Sequence, residues 1–322
     1  MADVSRETSS SDDHIETATE IIQRIFSDGT AGVGSELAQT QAEQDEVNKS
    51  KFSHPSQTRY IAVANQKGGV GKTTTAVNIS AALGEGGLNV LVIDMDPQGN
   101  ASTALGVRHD EKSPSVYDVI IENTTMADVI QTCEDFPTID VVPSNINLSG
   151  AEIELTQLND PMHQLKDTLR TYMATVNKHY DYVIVDCPPS LGVLVINALC
   201  AVHEVLIPIQ AEYYALEGLS QLVNTIKLVQ ESYNPDLAVS AMLLTMVDNR
   251  TILSKNVCAA TKEHYPDLVL DTVISRSIKI SESPSYRQSV IAYDPKGRGA
   301  VDYRKAALEI NNRSEDVIRL LY

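Results

Sequence analysis

The stretch Lys67-Gly68-Gly69-Val70-Gly71-Lys72-Thr73-Thr74 constrains this chain more than any other. Before it lies Tyr60-Ile61-Ala62-Val63-Ala64, a short apolar run with β-branched residues that reads as a buried parallel strand. After it, Thr74 to Leu83 shows helical spacing and good helix formers. A strand, a glycine turn and a helix start are what phosphate binding requires. The glycines let backbone N–H groups approach the phosphates, and the helix N-terminus adds a favourable partial charge. The stretch fits the template G-x-x-x-x-G-K-[ST] loosely, because its glycines are packed closer and an extra lysine stands in front. Lys72 takes the place where an ammonium reaches the β- and γ-phosphates of a nucleotide, and Thr73 would offer its hydroxyl to Mg²⁺. Lys67, five residues earlier, stands where an ordinary loop of this kind needs no cation. Two lysines around one triphosphate suggest that one of them serves a neighbouring subunit.

From Arg59 onward, short apolar strands alternate with helical stretches. Strands are expected at 60–64, 90–94, 139–143, 182–186, 205–209 and 241–245. Helices are expected near 114–122, 125–132, 151–179, 193–200, 215–232, 253–264 and 300–312. This alternation predicts an α/β fold, a doubly wound and mostly parallel sheet with helices on both faces. No internal repeat is visible. In such sheets ligands bind beyond the carboxyl ends of the strands. Three carboxylates fall there: Asp94 and Asp96, in Asp94-Met95-Asp96-Pro97-Gln98-Gly99-Asn100, and Asp186, after Tyr182-Val183-Ile184-Val185. An acid after four apolar residues is the signature of the one that holds Mg²⁺. Asp94 and Asp96 are each placed to orient an attacking water or to help hold the metal, and spacing does not choose between them.

Residues 1–56 read differently. They are rich in Ser, Thr, Asp, Glu, Gln and Gly, with eleven acidic and four basic side chains. Such a composition cannot bury enough surface to offset chain entropy, so a largely disordered extension is expected, with the folded domain at 57–322. Within it, a short helix at 13–26 would align Ile15, Ile22, Ile25 and Phe26, and residues 29–34 read as a flexible linker. The four cysteines (Cys133, Cys187, Cys200, Cys258) lack C-x-x-C spacing and read as buried thiols of a reducing, cytoplasmic compartment. No apolar run approaches the roughly 18 residues of a membrane span. The net charge of −18 counts against a protein that coats nucleic acid over its whole surface, although it is an average to which the acidic extension contributes.

Lys67–Thr74, Asp94–Asn100 and Asp186-Cys187-Pro188-Pro189-Ser190 together resemble the deviant Walker A ATPases, P-loop NTPases of the MinD/ParA superfamily, and more closely the ParA/Soj branch that segregates bacterial chromosomes and plasmids. The resemblance covers about residues 59–312 and extends to Thr245–Arg250, Ile280–Ser285 and Tyr293–Ala300. It implies an ATP hydrolase with slow intrinsic turnover that uses ATP and Mg²⁺. By this likeness Lys67 crosses a dimer interface to the partner's ATP, Lys72 meets the β/γ-phosphates, Thr73 binds Mg²⁺, Asp96 serves hydrolysis, and Asp186 belongs to the metal site, with Asp94 beside it. Gly68, Gly69, Val70, Gly71 and Thr74 complete the nucleotide loop. The segment Ser275-Arg276-Ser277 matches a loop on the adenine; relatives commonly carry Pro and Asn where this chain has Ser275 and Ser277, so the preference for ATP rests on the family more than on these side chains.

The same resemblance implies an ATP-dependent homodimer that binds nucleoid DNA without sequence preference, with Arg250 and Lys279 at the DNA face. Such basic side chains give salt-sensitive, sequence-independent affinity. It also implies stimulation of hydrolysis by a centromere-bound partner of the ParB type. A MinD-like membrane ATPase is the alternative, since it shares the loop and its extra lysine. That branch uses a basic amphipathic C-terminal helix. Here the ending Val317-Ile318-Arg319-Leu320-Leu321-Tyr322 carries one basic residue with Glu315 and Asp316 beside it, a deficit of positive charge that predicts no membrane partner. A third class, the nitrogenase-like reductases, requires paired cysteines for an iron–sulfur cluster, which these four do not supply.

Overall fold

Strands β1 (Arg59–Val63), β2 (Val90–Asp94), β3 (Gln131–Thr132), β4 (Ile139–Val142), β5 (Tyr182–Asp186), β6 (Glu204–Gln210) and β7 (Ala238–Thr245) form one sheet in the order β3-β4-β2-β5-β1-β6-β7. Every pairing is parallel except the short edge pair β3–β4. The computed structural model describes residues 38–47, 49–212, 215–248 and 250–313. The helix expected at 13–26, the linker at 29–34 and the C-terminal ending lie outside the described residues.

The helices are α1 (38–47), α2 (Lys72–Glu85), α3 (Asn100–Ala104), α4 (Val116–Ile120), α5 (Met126–Val129), α6 (Leu148–Leu155), α7 (Gln164–Thr175), α8 (Val193–Ala201), α9 (Ala215–Ser232), α10 (Ile252–His264), α11 (Ile278–Glu282), α12 (Val290–Tyr293) and α13 (Arg298–Asn312). Side chains alternate across the sheet as a strand dictates. Ile61, Val63, Val90, Val92, Tyr182 and Ile184 face the core shared with α2, α12 and α13. Ala62, Leu91, Ile93, Val183, Val185, Val205 and Ile207 face the core shared with α4 to α9. Both faces are buried, which is why these strands read as continuous apolar runs. Shortening one of them, as in Ile184→Ala, would cost about 2–5 kcal/mol.

Two expected helices differ in the structure. The helix expected over 151–179 is two, α6 and α7, because Pro161 lacks an N–H and follows the turn formers Asn159 and Asp160; the Asp160 carboxylate then pairs with His163 Nδ1 at 2.9 Å. The helix expected over 125–132 stops at Val129, and Gln131–Thr132 pair antiparallel with β4. There the open edge of β4 outweighs local helix propensity.

The compact unit begins at Gln44, so residues 44–56 belong to it rather than to the extension. Phe52 packs over Gly86, Ser53 bonds Asn311 at 2.9 Å, and His54 Nδ1 lies 2.8 Å from the buried Asp181 carboxylate. At the amino end of the sheet, Arg59 makes a two-pronged pair with Glu204 (2.7 and 2.6 Å) and donates to the Ile310 carbonyl. That buried pair ties β1 to β6 and to the end of α13.

Candidate nucleotide site

The chain reverses its direction of travel across the sheet at β1, which lies between β5 and β6, so a crevice opens beyond its carboxyl end. The loop that fills this position runs from Ala64 to Gly71. Asn65 fixes its start: Oδ1 accepts the Lys67 N–H at 3.0 Å, and Nδ2 donates to the Pro208 carbonyl of β6 at 2.8 Å. Thr245, the last residue of β7, holds its far side by donating from Oγ1 to the Val70 carbonyl at 2.9 Å. Gly69 and Gly71 have φ of 76° and 88°, a left-handed backbone that a side chain would strain. Gly71 caps α2, whose N-terminus with Lys72, Thr73 and Thr74 points at the loop. Gly68 has open space where a Cβ would stand, a cradle rather than a packed turn.

The two lysines go different ways. Lys72 is 7% exposed and its Nζ turns into its own loop, 3.4 Å from the Lys67 carbonyl. Burial pushes its ammonium below the usual lysine range, with Asp186 opposing. Lys67 is about a third exposed (35%), and its Nζ reaches outward to Glu212 at 3.1 Å. Gln210 holds the other Glu212 oxygen at 2.7 Å.

Beneath the loop, Asp186 ends β5 with Val63 of β1 on one side and Asp94 of β2 on the other, all in register. The two carboxylates differ in what they touch. Asp94 Oδ1 accepts the Asp96 N–H at 3.1 Å, while Oδ2 accepts the Ser102 N–H and hydroxyl at 2.8 and 2.7 Å. Burial pushes Asp94 up to about 6 against the pull of those bonds. Asp186 is fully buried, and among the described residues neither oxygen has a hydrogen-bond partner. Burial first, then the neighbouring Asp94, hold it well above the ordinary carboxylate range; the nearby Thr73 hydroxyl and Lys72 pull the other way. A buried acid without a partner beside a threonine and a lysine is a fit for a hydrated divalent cation, whereas the Asp94 oxygens are already spent on shaping the 94–102 segment. Asp96 lies at the rim, 8% exposed, with Oδ1 accepting the Gln98 N–H at 2.9 Å.

The segment with Ser275 and Ser277 is bridged to the end of β7 through Val247 and Ser275. Its backbone is fixed by Asp302, whose Oδ2 accepts the Ser275 N–H at 2.9 Å and whose Oδ1 pairs with Arg298 at 2.8 Å. Ser277 caps α11. Arg250 lies three residues past Val247 and Lys279 four residues past Ser275, the two partners of that bridge. Neither cation stands alone. Arg250 grips Asp248 with two bonds of 2.9 Å, which hold Asp248 down at about 2, and Lys279 pairs with Glu282 at 3.0 Å.

Sequence reasoning missed Glu212, Asn65, Ser102 and Asp302. Glu212 had a weaker signal, since it stands two residues past the carboxyl end of the apolar strand β6, near the level at which Asp94 and Asp186 end theirs. The other three act through partners 8 to 143 positions away, which no local pattern reveals.

A mostly parallel sheet with a glycine loop after an inner strand, a lysine at the head of the following helix and acids at the ends of two neighbouring strands defines a phosphate-loop nucleotide hydrolase. A family model described as an AAA domain matches residues 58–239. The chain is 47% identical over 252 residues to the sporulation initiation inhibitor protein Soj of Bacillus subtilis, covering 78% of this chain and 98% of that one. It is 45% identical over 258 residues to the chromosome partitioning protein ParA of Caulobacter vibrioides, covering 80% and 96%. Among solved structures, cobyrinic acid a,c-diamide synthase from Mycobacterium smegmatis, with bound ADP and magnesium, superposes with a TM-score of 0.67 at 38% identity, covering 78% of this chain and 92% of that one. The chain belongs to the ParA/Soj family of partitioning ATPases, within the deviant Walker A class. No helix among the described residues is long and apolar enough to cross a membrane.

Proposed function

We propose that this chain is a DNA-partitioning switch whose ATP-bound form is a dimer that holds DNA and whose slow hydrolysis, stimulated by a ParB-type partner, releases it. The observation that carries the reading is the divergence of the two lysines: Lys72 turned into its own loop, Lys67 turned outward. One ammonium serves the nucleotide of its own subunit. The other is free to rotate from Glu212 to the nucleotide of a facing copy.

ATP with Mg²⁺ is the cofactor the residues fit, as the similar Mycobacterium smegmatis structure holds ADP and magnesium. Thr73 and Asp186 would hold the metal, Asp186 from below with its two unpartnered oxygens. When bound, the magnesium nucleotide supplies the scissile phosphoanhydride and a counter-charge. The chain supplies the rest. Backbone N–H groups at 68–73 and the start of α2 orient the phosphates. Lys72 and the partner's Lys67 offset the charge that develops on the transferred group. Asp96, at the rim and free at Oδ2 of any bond within its own turn, orients the attacking water. Asp94 keeps that rim in place through Ser102 and the Asp96 amide rather than binding the metal. Ser275 and Ser277, on a backbone fixed by Asp302, border the base.

For DNA, Arg250 and Lys279 are the proposed contacts, doubled in the dimer. Both are paired with acids in the monomer, so phosphate must compete with Asp248 and Glu282. This makes monomer binding weak and keeps the patch quiet until two copies present it together. The domain reading that accompanies this function is an acidic N-terminal extension joined to one ATPase domain.

The test is ATP turnover with and without DNA and a candidate centromere-binding partner, together with Lys67→Ala in light scattering. The variant is expected to bind nucleotide but not to dimerise with ATP. Unchanged dimerisation would sink the cross-subunit role of Lys67.

A further inference from the structure

Asp96 can orient a water only if the turn that carries it is held still. That turn, Asp96-Pro97-Gln98-Gly99, is closed by the Gly99 N–H on the Asp96 carbonyl at 2.9 Å and by the Gln98 N–H on Asp96 Oδ1 at 2.9 Å. Gly99 ends it with a left-handed φ of 62° and caps α3. From beneath, Asp94 holds the turn through Ser102. From the surface it is held by a side chain with no role so far, His109.

The half-buried His109 ring lies directly on Gly99. A Cβ at Gly99 would stand 2.7 Å from His109 Nδ1 and 2.7 Å from the Ser144 carbonyl, so only glycine fits beneath the imidazole. On the other edge of the ring, Nε2 lies 2.8 Å from Thr103 Oγ1, and the Thr103 hydroxyl donates to the Gly99 carbonyl at 3.0 Å. A hydroxyl has one proton. With that proton on the carbonyl, the ring donates from Nε2, and a chain of bonds runs from His109 through Thr103 to Gly99. The loop behind the ring is itself fixed. Gln131 of β3 brackets the Arg108 backbone with bonds of 2.9 and 2.7 Å. The Gly106 and Val107 carbonyls accept Arg287 Nη2 at 3.3 and 3.2 Å, and the Asp110 carbonyl accepts Asn145 Nδ2 at 3.3 Å. A pinned loop thus presses an imidazole onto the turn that carries Asp96.

We propose that His109 is a positioning residue for ATP hydrolysis. Acting through Thr103 and Gly99, it holds the Asp96 turn in the geometry in which the carboxylate orients the attacking water, and it does not itself act on the nucleotide. The inference rests on the reading of Asp96 given above. Orientation is sensitive: a misplacement of about 1 Å can cost up to about 100-fold in rate. The loop that would hold the phosphates, at 68–73, does not include this turn. The consequence is a split, with rate lost and nucleotide affinity kept.

The test is single-turnover phosphate release from Mg-ATP by the full chain. Affinity for a fluorescent ATP analogue and dimerisation by light scattering are measured beside it. His109→Leu keeps an apolar bulk and removes the N–H. It is expected to slow release by about 5- to 10-fold, with affinity and ATP-dependent dimerisation unchanged. His109→Gln, whose amide can donate in place of Nε2, is expected to recover most of the rate. Thr103→Val removes the middle link at nearly constant shape and is expected to slow release as much. It also keeps the inference testable should His109→Leu disturb the fold. The double variant is expected to be no slower than either single one, since both cut the same chain of bonds. Parental rates in His109→Leu and Thr103→Val would overturn the proposal. So would a loss that His109→Gln does not recover, or one read as weaker nucleotide affinity, since His109 would then only pack the fold. Losses that multiply in the double variant would overturn it as well, because the two side chains would then act separately. Asp96→Ala, run alongside, separates the two readings. Abolished release there with a parental rate in the His109 and Thr103 variants removes the role of His109 alone, whereas a parental rate in Asp96→Ala removes the reading beneath it.

Discussion

Replacing Asp186 by Asn is expected to raise the stability of the nucleotide-free protein while removing its response to magnesium. Both Asp186 oxygens are buried without a hydrogen-bond partner, and burial with the Asp94 charge holds the group well above the ordinary carboxylate range. The folded chain therefore binds a proton at this position more tightly than the unfolded chain does. Stability of this kind is fully present below the unfolded pKa of about 3.9 and is lost as pH rises towards the folded value. Because the carboxyl group can always remain protonated, its penalty is bounded by the cost of taking up that proton. At about 1.36 kcal/mol per pH unit above 3.9, the bound is about 4 kcal/mol at pH 7 and about 1.5 kcal/mol at pH 5. A carboxamide of the same shape escapes this penalty at every pH. At roughly 2–4 °C per kcal/mol, the Asn variant should melt several degrees higher than the parent at pH 7 in EDTA, with the gap closing towards pH 5. Scanning calorimetry reads both. Adding ATP should raise the melting temperature of the parent further when Mg²⁺ is supplied, and that magnesium-dependent part should vanish in the variant. An Asn variant that melts below the parent at pH 7 in EDTA, or that keeps the magnesium-dependent rise, refutes the reasoning.

Glu212→Gln weakens the half-exposed pair that holds Lys67, an interaction worth about 0.2–1 kcal/mol, so dimerisation followed by light scattering should reach its midpoint at an ATP concentration up to about 5-fold lower. An unchanged midpoint would show that Glu212 does not restrain the lysine. Asp248→Asn releases Arg250 from its two-pronged pair and should tighten ATP-dependent DNA binding. Its salt dependence should steepen by about 0.9 per additional phosphate contact, whereas Arg250→Glu should weaken binding, both read by fluorescence anisotropy against salt. Glu204→Ala strands buried Arg59 at the opposite end of the sheet and should cost about 3–5 kcal/mol in urea unfolding; a loss under 1 kcal/mol would mean that water reaches the guanidinium.

The legible part of this protein is the part written in local periods. The strand before Lys67 and the helix after Thr74 show their own repeat, and the glycines between them announce a left-handed turn, so loop and sheet follow from a dozen neighbouring residues. The short elements α3, α11 and α12 have too few residues to show a period, and β3 exists because the edge of β4 is open. At the site the limit is sharper. Asp94 and Asp186 look alike in sequence, each an acid ending an apolar strand. What separates them is Ser102, eight positions beyond one of them and with no counterpart at the other. Satisfied and unsatisfied carboxylates share one sequence signature, so a motif can say that an acid stands at the site but not whether it is available to a ligand. Glu212 extends the point. It stands two residues beyond the end of β6 rather than at it, and its partner Lys67 lies 145 positions away; that distant contact makes it the group that holds the lysine through which, on this reading, ATP would join two subunits.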